Sequence, residues 1–438
     1  MGIENNTLIL FKLGIGLLGL VAFVCLKQIL DKLGWRDRTF IASSLALWLL
    51  SRLGLFVLVF LIAGFSVPSD VPTYYYLPAK MVLVGKLPYR DFATSYGPLF
   101  PYIGAAAVSI WDSPKSIVLL AILIEGASIL LWLSISNKSL GVRERQLGLL
   151  LYLCNGLPTL NVAIAGQNQI WMSCFLAAAF VLSVKHRELI AGMLLGMSAV
   201  AVKILVFLFL PYWWLMSKNR TRLALGVVLA LAAGFLPFWL IGADIFQPMR
   251  KEGGLISSGN LPYLATLFGL DPSLPTVSAV LTVFLVTALA VTSLWLFRTA
   301  RRNEIAVMSL IGLAVLLLVF MLLSKKSYTN YYNLLMLPIC FSAAKVLRRS
   351  WQQVAFLMWS ALAALEPSLW HRWLSQGRLG EGGSRMLRTH VFEPHFIAFV
   401  LTELILLAGN GCLLYCFVRE LLTCKRTQPQ TATRGATF

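Results

Sequence analysis

Long apolar runs, broken by short polar or basic stretches, dominate this chain. They fall at about 7–27, 39–65, 116–136, 147–160, 168–184, 189–216, 223–242, 276–297, 304–323, 331–346, 351–369 and 394–418. A helix needs roughly 20 apolar residues to cross a bilayer. The pattern predicts an all-α, polytopic membrane helix bundle. The stretch 189–216 is longer than one span needs, and splitting it at Lys203 brings the expected count to about thirteen spans.

The charges between the runs give an orientation. Lys27, Lys32, Arg36 and Arg38 follow the first run, and basic groups recur at 138–145, 185–187, 218–222, 298–302 and 345–349. By the positive-inside rule these loops are cytoplasmic. Alternation then holds only if 98–112, which is short and starts with Pro98 and Pro101, is an interfacial or re-entrant helix inside a long outer loop, 66–116. The other side receives Asp70, the Gln167–Asn168 turn, Lys203, the loop 243–275 and Lys325–Tyr328. It also receives a loop at 370–393, whose Arg378, Arg385 and Arg388 run against the rule and hint at an anionic ligand. The expected divisions are an extra N-terminal helix with its basic loop (1–38), a catalytic membrane core (39–346), C-terminal helices (347–418) and a basic cytoplasmic tail (419–438).

Composition adds little to the class but removes alternatives. The 438 residues are 58% hydrophobic and 13% charged, with a mean hydropathy of +0.79, far outside the soluble range. The net charge of +19 is spread among loops, so it reads as topology and not as nucleic-acid binding. Seven cysteines form no CxxC pair or zinc spacing. The run from Thr7 to Leu26 has no basic region before it and no small-residue cleavage site, so it reads as a retained helix.

The candidate chemistry gathers in Ser69–Tyr102. Asp70, just beyond a span, is placed to act as a general base towards a hydroxyl, or is an ordinary solvated helix-end acid. Tyr74, Tyr75 and Tyr76 either stack on a sugar or form an interfacial belt. Asp91 sits beside Arg90, which offers it a local ion pair. Gln167 and Asn168 either hydrogen-bond sugar hydroxyls or cap a helix. Lys203, flanked by apolar residues, needs an anionic partner or snorkels to an interface. Lys325, Lys326, Tyr328, Tyr331 and Tyr332 form a basic-aromatic cluster suited to phosphate. Arg52 and Glu125 each lie near mid-span, about 20 Å and roughly 14 Å from their loop ends at 1.5 Å per residue, and read as a buried structural pair. No metal, Walker or dinucleotide signature is evident, and neither a metal nor a cofactor is expected.

The combination of motifs resembles the GT-C superfamily of integral-membrane glycosyltransferases, and within it the bacterial polyprenol-phosphate-mannose-dependent mannosyltransferases. The resemblance runs from about Leu58 to Pro338. It is carried by an aspartate closing a span, Pro88-Tyr89-Arg90-Asp91-Phe92, Tyr96-Gly97-Pro98-Leu99, Gly166-Gln167, Lys203 and Tyr331-Tyr332…Leu337-Pro338. It departs where the family commonly has Tyr-Pro-Pro-Leu and this chain has Gly97.

The resemblance implies a GT-C bundle with interfacial helices in its first loop. It implies an inverting transfer of a sugar such as mannose from a polyprenyl-phosphate donor to a glycolipid, glycan or protein acceptor. Asp70 is then the base, with Asp91, Tyr74, Tyr89, Arg90, Gln167 and Asn168 contacting substrate. Lys203, Lys325, Lys326, Tyr328, Tyr331 and Tyr332 hold the lipid phosphate. The expected setting is a bacterial inner membrane, with the site facing the periplasm or exterior. A transporter or flippase of lipid-linked sugars is the alternative, but it calls for related halves and midplane charges. No internal repeat is visible. An O-antigen-type polymerase calls for larger late loops.

Overall fold

The structure is a computed structural model that describes residues 5–33, 37–68, 70–137, 139–253, 255–268, 270, 272, 274–300, 305–374 and 394–423. The regular elements of the described chain are all helices, with one isolated bridge between Pro88 and Phe92. Six helices are long and apolar enough to cross a membrane: Thr7–Lys32, Phe40–Ile62, Pro114–Ser136, Arg220–Leu240, Pro275–Thr299 and Phe396–Thr423. A seventh forms if Val142–Leu153 and Gly156–Ile164, which meet at 46°, are one bent span. The chain is an integral membrane protein. Each remaining apolar run is also helical, but in shorter pieces: Gln169–Val184, Glu188–Ala201, Ile204–Met216, Leu310–Leu323 and Met336–Val346, besides the longer Ser350–Leu374. Length alone therefore gives six or seven spans among the described residues, against the expected thirteen.

The first long loop has the expected build. Between Ile62 and Pro114 lie a widely wound turn, Val71–Tyr76, and the helices Leu77–Leu83 and Phe100–Ile110. Phe100–Ile110 has 11 residues. That makes it about 16 Å long, roughly half of a hydrocarbon core. It lies against Leu77–Leu83 and Pro114–Ser136 and buries Phe100, Gly104, Ala105 and Val108.

The stretch 189–216 breaks where Lys203 predicts. Helix Glu188–Ala201 ends, Lys203 is extended (φ −153°, ψ 153°), and a 3₁₀ turn, Ile204–Phe209, follows. The helix is held in place by Arg220–Leu240, and glycines set how near the two come. A Cβ on Gly192 would lie 2.1 Å from the Leu223 carbonyl oxygen, and one on Gly226 equally near that of Leu189. Close backbone approach of this kind is how helices associate where no water drives them together.

Arg52 and Glu125 do meet. Arg52 Nε donates to Glu125 Oε2 at 2.9 Å, and both side chains are fully buried. Trp48 Nε1 and the Tyr152 hydroxyl also donate to that carboxylate, at 3.1 and 2.8 Å, and Arg52 Nη1 donates to Thr159 Oγ1 at 2.5 Å. Leu49–Gly54 and Thr159–Ile164, which carry Arg52 and Thr159, are both wound wide, as π turns. Such turns often re-aim a side chain at a polar site within a helix. This network ties Phe40–Ile62, the span that leads to Asp70, to the bundle.

Candidate active site

Asp70 opens the wide turn Val71–Tyr76, but its side chain does not cap it. The carboxylate instead accepts from Gln167 Nε2 at 3.4 Å. Gln167 is a hub. Its Oε1 accepts from Asn330 Nδ2 at 3.0 Å and from the Tyr75 hydroxyl at 3.5 Å. The first loop, the start of helix Gln169–Val184 and the turn Thr329–Leu334 thus converge on one side-chain amide. Tyr75 is buried, edge-on to Tyr96 at 5.2 Å and to Phe100 at 5.0 Å.

Tyr96-Gly97-Pro98-Leu99 joins this cluster to Lys203. The Gly97 N–H donates to the Val202 carbonyl at 2.8 Å, and the Leu99 N–H to that of Val200 at 3.1 Å. The two backbones lie so close that a Cβ on Gly97 would be 2.1 Å from the Val200 oxygen. The departure from Tyr-Pro-Pro-Leu therefore has a local reason. A proline at 97 has neither the N–H nor the room. The pairing places the Lys203 ammonium 4.6 Å from the centre of the Tyr96 ring, an arrangement that stabilises a cation away from water. Lys203 is near enough to Asp70 to feel its charge, as are Tyr328 and Tyr331.

Pro88–Phe92 folds on itself. Tyr89 has φ +64°, which a bulky residue adopts only when its surroundings impose it. Here its N–H donates to the Phe92 carbonyl at 3.0 Å, and its hydroxyl to the Tyr96 carbonyl. Asp91 is engaged within the turn. It accepts from the Leu87 N–H at 2.8 Å and from Arg90 Nε at 2.9 Å. Arg90 first, then the Leu87 N–H, hold its carboxyl below the usual carboxylate range.

These elements enclose one side of a cavity of about 490 Å³. Its polar lining is Tyr89, Tyr96, Lys203, Lys326, Tyr331 and Glu252, and its apolar lining includes Leu205, Phe207, Leu231, Phe235, Phe246 and Phe320. Two ammonium groups thus line a largely apolar slot, near enough for Lys326 to feel the charge of Lys203. Lys326 pairs with Glu252 and lies 5.9 Å from the Tyr328 ring. Burial first, and the like charge of Lys203 second, push the Lys326 ammonium down to about 7; the negative Glu252 beside it works against both.

Not every candidate gathers here. Lys325 turns away and donates to the Gly253 carbonyl at 2.7 Å and to Ser278. Tyr332 packs on Trp359 at 5.0 Å, near the buried acids Glu366 and Glu403. Tyr74 is 46% exposed on the loop surface. Asn168 is fully buried, with neither side-chain polar atom hydrogen-bonded. Arg378, Arg385 and Arg388 lie outside the described residues. Glu252 and Asn330 carry no signal in the sequence, because each gains its meaning from a partner far away in it, Lys326 and Gln167. Among the described residues, no group of three His, Cys, Asp or Glu side chains is placed to hold a metal ion.

A family model, glycosyltransferase family 87, matches residues 96–325, just over half of the chain. The chain belongs to glycosyltransferase family 87. The matched part of this family 87 protein holds Tyr96, Gln167, Asn168, Lys203 and Lys325; Asp70 and Asp91 precede it, and Lys326 follows it. Among solved structures, the crystal structure of ArnT from Cupriavidus metallidurans bound to undecaprenyl phosphate is similar. It is 16% identical with a TM-score of 0.48, over 88% of this chain and 78% of that one. No curated protein matches the chain.

Proposed function

We propose that this membrane glycosyltransferase moves a sugar from a polyprenyl-phosphate carrier to an acceptor hydroxyl, with inversion, on the outer face of a bacterial inner membrane. The observation that carries the reading is the slot itself. Two ammonium groups, Lys203 and Lys326, line a largely apolar cavity, and Lys203 is near enough to Asp70 to feel its charge. An isoprenyl phosphate has that shape and charge distribution: an anionic head on a hydrocarbon chain. The ArnT structure's bound undecaprenyl phosphate is a ligand of the same chemistry on another protein.

In the proposed reaction the acceptor oxygen forms a bond to the anomeric carbon as its proton passes to Asp70. The bond from that carbon to the phosphate oxygen breaks, and the lipid phosphate leaves with the electron pair. Lys203 and Lys326 meet the charge that develops on it, in a site poor in water, where such charges count most. Gln167 fixes the carboxylate that receives the proton. Tyr89 lines the cavity wall, Arg90 and Asp91 brace the turn that carries it, and the resemblance to mannosyltransferases implies mannose as the sugar.

The test is an assay of purified protein with polyprenyl-phosphate sugars, alongside liposomes carrying the same donors. Glycosyl transfer that depends on a polyprenyl-phosphate donor is expected. Transfer from nucleotide sugars alone, or movement of donor across liposomes without transfer, would contradict the reading.

A further inference from the structure

The geometry points to Glu252 as the group that competes with the lipid phosphate for Lys326, and so drives product release; this rests on the polyprenyl-phosphate reading above. Glu252 is a surprising neighbour for an anion site. It lines the cavity, its side chain is 26% exposed, and it is paired with Lys326, whose side chain is 15% exposed. The short helix that carries it, Gln247–Gly253, is clasped by two consecutive lysines: Lys326 on Glu252, and Lys325 on the Gly253 carbonyl at 2.7 Å. Its leading end is fixed as well, since the Asp244 N–H donates to the Tyr89 carbonyl at 3.2 Å. The carboxylate is therefore held beside the ammonium.

The reaction makes such a competitor useful. The donor is a phosphodiester with one negative charge. When the bond to the sugar breaks, the phosphate keeps the electron pair and becomes a monoester carrying close to two charges near neutral pH. Lys203 and Lys326 therefore grip product more tightly than substrate. Glu252 offsets this by taking Lys326 back as the phosphate leaves. Glu252 is a positioning residue here, acting through Lys326 and touching no reacting atom.

The experiment is binding and kinetics of the full-length protein in detergent, with undecaprenyl phosphate as the probe. Glu252→Gln is expected to bind the monophosphate about tenfold tighter than wild type, equivalent to ~1.4 kcal/mol. It is also expected to show a burst of one turnover followed by slower steady-state transfer, with the single-turnover rate not reduced. In a Lys326→Gln background, Glu252→Gln should leave binding unchanged, because the competition runs through Lys326. Equal or weaker binding by Glu252→Gln, or undiminished tightening without Lys326, overturns the role of Glu252 while leaving the donor reading intact. Failure of wild type to bind the lipid phosphate at all overturns both.

Discussion

Gln167 donates its side-chain amide to Asp70 at 3.4 Å, and Asn330 grips the other end of the same amide at 3.0 Å. A carboxylate at the end of a loop would otherwise turn freely; here its direction is set from two other parts of the bundle. Gln167→Ala is expected to lower kcat about tenfold, the scale of one hydrogen bond to a charged group, with donor affinity nearly unchanged. Gln167→Glu, which places a second negative charge beside Asp70, is expected to lower it further. Steady-state kinetics with donor-binding measurements separate the two parameters.

The two cavity lysines should be separable from their neighbour. Lys203→Met and Lys326→Met are each expected to weaken binding of a lipid phosphate about 10- to 100-fold, as when one partner of a desolvated ion pair is truncated. Lys325→Met, which releases Gly253 and Ser278, should cost stability more than affinity. Binding should also depend on pH. The Lys326 ammonium, lowered to about 7, is charged below that pH and loses its proton as pH rises through it, while a bound phosphate needs it charged. Affinity is therefore expected to fall by up to tenfold per pH unit above about 7, with Lys203, Glu252 and Tyr328 facing the group. Lys326→Met should flatten that slope, and titration of binding between pH 6 and 9 reads it directly.

Gly97 is a steric requirement. Gly97→Pro removes the N–H that reaches Val202 and forces atoms against the Val200 carbonyl. It is expected to cost about 2 kcal/mol or more, read as a lower thermal midpoint in detergent. Lys203 should also lose its register over Tyr96. Wild-type stability and donor affinity in Gly97→Pro would refute that coupling.

Arg52 and Glu125 form a buried pair, so removing one partner strands the other. Arg52→Ala and Glu125→Ala are each expected to destabilise by about 3–5 kcal/mol, and the apolar double variant Arg52→Met with Glu125→Leu to recover much of that loss. Thermal unfolding of the three variants in detergent checks this. If both single variants were as stable as wild type, the network would have no structural role.

Much of this was legible in the chain because single residues carried it. A lysine amid apolar neighbours marks a break in a helix, and the chain is extended at Lys203. Two prolines at the start of a short apolar segment mark a short helix, and Phe100–Ile110 has 11 residues. Opposite charges near the middle of two spans mark a pair within side-chain reach, and Arg52 meets Glu125. Adjacent residues were harder to tell apart. Lys325 and Lys326 look alike in sequence, as do Tyr331 and Tyr332, but neighbours in an irregular or 3₁₀ turn point in different directions. Only Lys326 and Tyr331 line the cavity. Glu252 was hidden for another reason. Its loop reads as an ordinary connection, and its partner is over 70 residues away.

The role of Asp70 is tested most directly by transfer with Asp70→Asn, using purified protein and a polyprenyl-phosphate sugar, with lipid-phosphate binding measured on the same preparation. Loss of about 10²- to 10⁴-fold in the rate of transfer, with binding retained, is the predicted result. Transfer at the wild-type rate would contradict the account, because the proton would then have to go elsewhere.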